Sequence, residues 1–92
     1  MYFITVIVSK DRSTRTWGFY HNLKDALNAV DINQFNMHEC LYDYIVIEKF
    51  TEGIPAWYDE NFEPIWGKWN DTHWKLCNPP EFSRGIIHYG IG

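Results

Sequence analysis

The stretch Tyr2-Phe3-Ile4-Thr5-Val6-Ile7-Val8-Ser9 decides the fold. Its residues are β-branched or aromatic almost without interruption, so it reads as a strand, and because both of its faces are apolar it belongs in the middle of a sheet. The rest of the chain must supply its neighbours and its covers. Lys10 to Thr14 is polar and suits a loop, and Arg15 to Tyr20 follows as a second strand, which makes a hairpin. Strict alternation there sets Thr16, Gly18 and Tyr20 on one face and Arg15, Trp17 and Phe19 on the other. Gly18 has no side chain to pack, which in a strand interior often marks a bulge or the close approach of another group.

A helix comes next. Asn22 with Asp25 is a helix start, and Leu23, Ala26, Leu27 and Val30 fall on one apolar stripe, so the spacing predicts a helix from Leu23 to Ile32. Beyond a less regular stretch from Asn33 to Cys40, Leu41 to Phe50 has strand composition again, and Glu52 and Gly53 end it. Pro55 and Pro64 break the following acidic segment into a long loop. Ile65 to Trp69 and His73 to Cys77 flank Asn70, Asp71 and Thr72, which favour a turn, and this is a second hairpin. After Asn78, Pro79 and Pro80, a helical turn near Glu81 to Arg84 leads into an expected last strand, Gly85 to Tyr89. The fold class is α+β, in the order ββαββββ, with an antiparallel sheet of five or six strands and one helix. Residues 1–92 read as a single domain, and a chain of this length can bury only one core.

Composition narrows the function. With 46% apolar and 22% charged residues the chain is globular rather than disordered. No aliphatic run is longer than three residues, the length of Ile45-Val46-Ile47, and no basic stretch precedes an apolar one at the start, so the expectation is a cytoplasmic protein without a membrane span or leader. Cys40 and Cys77 are expected to be free thiols. The net charge of −4 is uneven: residues 1–24 carry +3, residues 25–63 carry −8 and the remainder +1. An acidic middle argues against a long nucleic-acid partner, because such affinity comes from phosphate neutralisation. It leaves room for a small anionic ligand held by a few Arg, although the acids can equally be a solvated face.

Few residues suggest catalysis or metal binding. His73 and Cys77 lie four apart, but on a strand that spacing is about 13 Å, too far to share a zinc. His38 and Cys40 could face the same way yet lack two further ligands. Ser9, Ser13 and Ser83 sit in no nucleophile pattern, and there is no phosphate-cradling glycine motif. The expectation is a protein that is not an enzyme, with no cofactor and no metal. The stronger feature is aromatic: Trp57, Tyr58, Phe62, Trp66, Trp69 and Trp74 fall within eighteen residues. On a strand Ile65, Gly67 and Trp69 face one way and Trp66 and Lys68 the other. At least one of Trp66 and Trp69 should then be partly exposed, or covered by the long loop, another subunit or a ligand. These rings suit ordinary core and edge packing, and they also suit a base-stacking platform or a protein hot spot. Arg15 beside Trp17 can clamp a phosphate while the indole stacks, with Arg12 and Arg84 assisting; alternatively Arg15 pairs with Glu48 across the sheet.

Arg15-Thr16-Trp17-Gly18-Phe19, His38-Glu39 with Tyr42-Asp43-Tyr44-Ile45-Val46-Ile47-Glu48, the Trp66 to Trp69 pair and the Tyr89-Gly90-Ile91-Gly92 ending resemble a group of small bacteriophage and prophage proteins. The likeness covers most of the chain. It implies a context, the host cytoplasm during infection or lysogeny, and a role against host defences. The leading expectation is a non-enzymatic sponge that sequesters a small anionic, nucleotide-like immune signal, commonly as a homo-oligomer. Arg12, Arg15 and Arg84 would neutralise phosphate, and Trp17, Trp66, Trp69 and Trp74 would stack on a base. The alternatives are direct contact with a host defence protein such as a CRISPR nuclease, through Glu52 to Glu63 and the neighbouring aromatics, and an enzyme that degrades the signal.

Overall fold

A computed structural model describes residues 1–32, 42–53, 57–70 and 73–90. The elements are β1 (Tyr2–Val8), β2 (Ser13–Tyr20), α1 (Leu23–Asp31), β3 (Tyr44–Thr51), β4 (Trp57–Tyr58), β5 (Ile65–Trp69) and β6 (Trp74–Cys77), followed by a 3-10 turn at Glu81–Ser83. They form one antiparallel sheet in the order β2-β1-β3-β5-β6, with the two-residue β4 paired to β3. The class is α+β, and β1 is interior, flanked by β2 and β3 as its two apolar faces require.

Both faces of the sheet are covered. On one, Ile4, Val6, Ile45 and Ile47 pack beneath Ala26 and Ala29 of the helix. The two alanines let the helix come close, and Leu23 and Val30 widen the apolar stripe. Asn22 caps the helix, its side-chain oxygen accepting the Asp25 N–H at 2.8 Å. On the other face Ile7, Val46 and Trp66 form a second cluster, packed against Tyr44, Phe82 and Tyr89.

Three local departures from the sequence pattern follow from physical causes. Ile4 opposes Gly18 while Thr5 opposes Thr16, so Trp17 is an extra residue bulged out of β2. The bulge breaks strict alternation: Phe19 opposes Phe3 on the second face, whereas Trp17 packs with the helix-side cluster. Trp57 and Tyr58, inside the expected long loop, form β4 against Phe50 and Thr51. The expected last strand, Gly85 to Tyr89, is not a strand. That segment crosses the second face as an irregular strap: the Ile86 N–H turns back to the Ser83 carbonyl at 3.1 Å, and the Tyr89 and Gly90 donors go to a side chain and not to a neighbouring strand. Glu48, 1% exposed, accepts the Tyr89 N–H on both carboxylate oxygens at 2.9 and 3.1 Å and the Gly90 N–H at 2.8 Å. Gly90 fits because it lacks a side chain: a Cβ there would stand 3.2 Å from Phe3 Cβ and from Phe50 Cε1. Leu41, His38 and Cys40 lie outside the described residues.

Candidate functional site: a groove beside the helix

The helix lies chiefly over β1 and β2 and its alanines reach Ile45 and Ile47 of β3, while β5 and β6 run on past it along the same face. Its outer flank and those strands enclose a groove of about 380 Å³. Leu27 and Val30 form the helix wall, Ile45, Ile47 and Ile65 the floor, and Trp74 and Leu76 the far side. Register explains the depression: Ile45, Gly67 and Leu76 stand in one cross-strand row, and the middle residue has no side chain. A Cβ on Gly67 would come within 2.9 Å of Ile45 Cγ2, so the row is already closed at the bottom. Asn28 and Asp31 supply polar groups at the helix rim.

The groove continues into exposed apolar surface. Leu76 is 73% exposed and Leu27 39%, and Ile32, which caps the helix C-terminus, is 61%. Such residues are common singly, but Leu27 and Leu76 together beside a concave apolar floor make this a candidate contact surface. Trp74 is held in place by Trp69, its cross-strand partner, edge-to-face with ring centroids 5.3 Å apart. On the opposite face of the same hairpin Lys68 and Lys75 are also direct cross-strand partners. Lys68 lies over the Tyr44 ring at 5.6 Å, and among the described residues neither lysine has an acidic partner.

A smaller cavity of about 250 Å³ opens beneath the strap, lined by Glu48, Tyr58, Glu63 and Tyr89 among others. Burial pushes the Glu48 carboxyl above the usual carboxylate range, partly opposed by the N–H groups of Tyr89 and Gly90 and by His88. Burial and the nearby Glu48 charge raise the Tyr58 and Tyr89 phenols as well. Burial likewise raises the Cys77 thiol, which is free. Of these groups Glu48 is hydrogen-bonded to the strap, whereas the Tyr89 hydroxyl is buried without a hydrogen-bond partner among the described residues.

The residues picked out from the sequence fall in separate places. Trp74 lines the groove and Trp69 buttresses it. Arg15 and Trp17 lie at the opposite edge of the sheet, the guanidinium 5.3 Å from the indole centroid. Four strand spacings separate that edge from β6, roughly 19 Å. Trp66, 5% exposed, faces the strap side and is covered there by Phe82 and Tyr89. The rings that contact Trp66 thus come from the C-terminal segment and from Tyr44 of β3. Arg12, at φ 63° in the β1–β2 turn, holds its guanidinium over Phe82 at 5.2 Å. Arg84 is exposed and lies 3.7 Å from Glu81. Arg15 does not meet Glu48, whose oxygens serve the strap. The structure therefore brings Trp69 and Trp74 together, pairs Arg15 with Trp17, and leaves Arg12, Arg84 and Trp66 apart from both.

Sequence reasoning missed Leu27, Gly67 and Leu76 as site residues. A signal for Leu76 was present, since it shares a strand face with Trp74 and has only Gly67 opposite it. No helix among the described residues is long and apolar enough to cross a membrane. No protein-family model, curated protein or solved structure matches this chain.

Proposed function

We propose that this chain is a non-enzymatic anti-defence protein, of the phage type that its sequence resembles, and that it acts in the host cytoplasm by direct contact with a defence protein through the groove beside α1. The observation that carries this reading is the apolar groove running into exposed Leu76 and Leu27. Buried aromatic anchors surrounded by apolar side chains dominate protein contacts, and Trp74 braced by Trp69 has that character. Among the described lining residues the groove has no arginine, and its single cation, Lys75, is matched in charge by Asp31, which weighs against a nucleotide there. A second reading, sequestration of a small anionic signal, is favoured by the Arg15–Trp17 pair at the other edge.

Plating efficiency of a restricted phage on cells that carry a nuclease-based defence separates the two. Expression of the chain should restore plating, Leu76→Asp should abolish the effect, and Arg15→Ala should leave it intact. Loss with Arg15→Ala and retention with Leu76→Asp would favour the anionic ligand, and calorimetry with a panel of nucleotides would then identify it. Retention by both variants sinks both site assignments.

A further inference from the structure

The outer edge of β6 specifies what kind of segment can seat on it, and the ladder shows how. The Asn70 N–H donates to the His73 carbonyl at 3.1 Å, which closes the β5–β6 hairpin. Hydrogen-bonded and non-hydrogen-bonded pairs alternate along an antiparallel ladder. Lys68–Lys75 and Trp66–Cys77 are then the bonded pairs, and Trp74 and Leu76 turn their N–H and C=O groups away from β5, toward an edge that no strand among the described residues occupies. The two ends of the sheet differ in how they are protected. The β2 edge is twisted by the bulge at Trp17 and carries Arg15, whereas β6 has no irregularity in its register and presents Leu76 at 73% exposure.

We propose, resting on the contact reading above, that the partner adds an extended strand to β6, with apolar residues opposite Trp74 and Leu76 and an acidic residue opposite Lys75. Residues directly opposite across an antiparallel pair share a face. An apolar side chain opposite Leu76 therefore lies on the groove's face of the sheet, against the outer flank of Leu76, while the residue opposite Lys75 lies on the lysine face. Lys68 and Lys75 already oppose one another as like charges, with no acidic partner among the described residues. A carboxylate on the added strand relieves that repulsion. The same charges argue against a second copy of this chain: two β6 strands paired about Leu76 would crowd four lysines on one face. The occupant is thus a partner segment that alternates apolar and acidic residues, recognised mainly through its backbone and its apolar contacts with Trp74 and Leu76.

Fluorescence polarisation with a blocked peptide of alternating valine and glutamate, against its valine–lysine counterpart, tests this. The glutamate peptide should bind the wild type about fivefold or more tightly than the lysine peptide, and Lys75→Glu should invert the order. Leu76→Pro should weaken binding roughly five- to tenfold, because it removes an outward donor while leaving the ladder to β5 intact. Circular dichroism of that variant verifies that the sheet is retained. Equal affinity for the two peptides, no inversion with Lys75→Glu, or no effect of Leu76→Pro in a folded variant overturns strand addition. If such a failure accompanies loss of plating rescue by Leu76→Asp, the contact reading stands and another mode of docking is required. If plating rescue survives Leu76→Asp while the peptides behave as stated, strand addition stands and the contact reading fails.

Discussion

The sheet is covered on both faces, but by unlike means. Beneath α1 the cover is a regular helix whose small residues, Ala26 and Ala29, settle onto Ile4, Val6, Ile45 and Ile47. Beneath the strap it is irregular backbone, fastened by one buried carboxylate and by aromatic contacts of Trp66 with Phe82 and Tyr89. Apolar packing is spread over many weak contacts, so losing one residue leaves the others. A polar fastening concentrates its contribution in one group, and removing it strands the partner donors in a dry place.

The strap side should therefore show the largest single-residue effect. Glu48→Ala leaves the Tyr89 and Gly90 donors unsatisfied and opens a void, for an expected loss of about 3 to 5 kcal/mol in urea unfolding. Glu48→Gln keeps an acceptor and should lose less. The comparison between that variant and the wild type is sharpened by pH. The folded-state carboxyl is held above its unfolded value by burial, so its contribution is fully present below the ordinary glutamate range and is lost as pH rises through the folded value. Urea midpoints should fall for the wild type relative to Glu48→Gln between acid and neutral pH; a constant difference would show that the hydrogen bonds offset the burial. On the helix side, Ile47→Ala should cost about 2 to 4 kcal/mol by cavity formation, somewhat less than Glu48→Ala. If it costs more, the contrast between the two covers is reversed. The smallest effect is expected at the helix cap, where Asn22→Ala should cost about 1 kcal/mol in the same measurement.

The regular parts of this arrangement were legible in residue order because each carries a local period. Tyr2 to Val8 announces an interior strand by apolar side chains on both faces, and Asn22 with the Leu23, Ala26, Leu27, Val30 stripe announces a capped helix. Gly18 signalled the bulge, but which residue is extruded, and that Phe19 is thereby turned to the other face, is decided by pairing with β1. The last segment misled because Ile86 and Ile87 have strand composition, whereas the competing acceptor, Glu48, sits 41 residues from Tyr89. A tertiary hydrogen bond of that span leaves no local mark. Only half of the candidate site could be read: the Trp69–Trp74 pair follows from strand register. The groove exists because the helix sits over one side of the sheet, a lateral offset that no periodicity encodes.

The position of β3 has a kinetic consequence. β1 and β2 are joined by a short turn, as are β5 and β6, so each pair can close in microseconds. β3 stands between them, and its register partners Ile47 and Ile4 are 43 residues apart along the chain, so the two hairpins become one sheet only after a long loop closes. Folding speed should then be governed by capture of Tyr44–Thr51 between two preformed ribbons, and it belongs with the slower, non-local topologies despite the brevity of the chain.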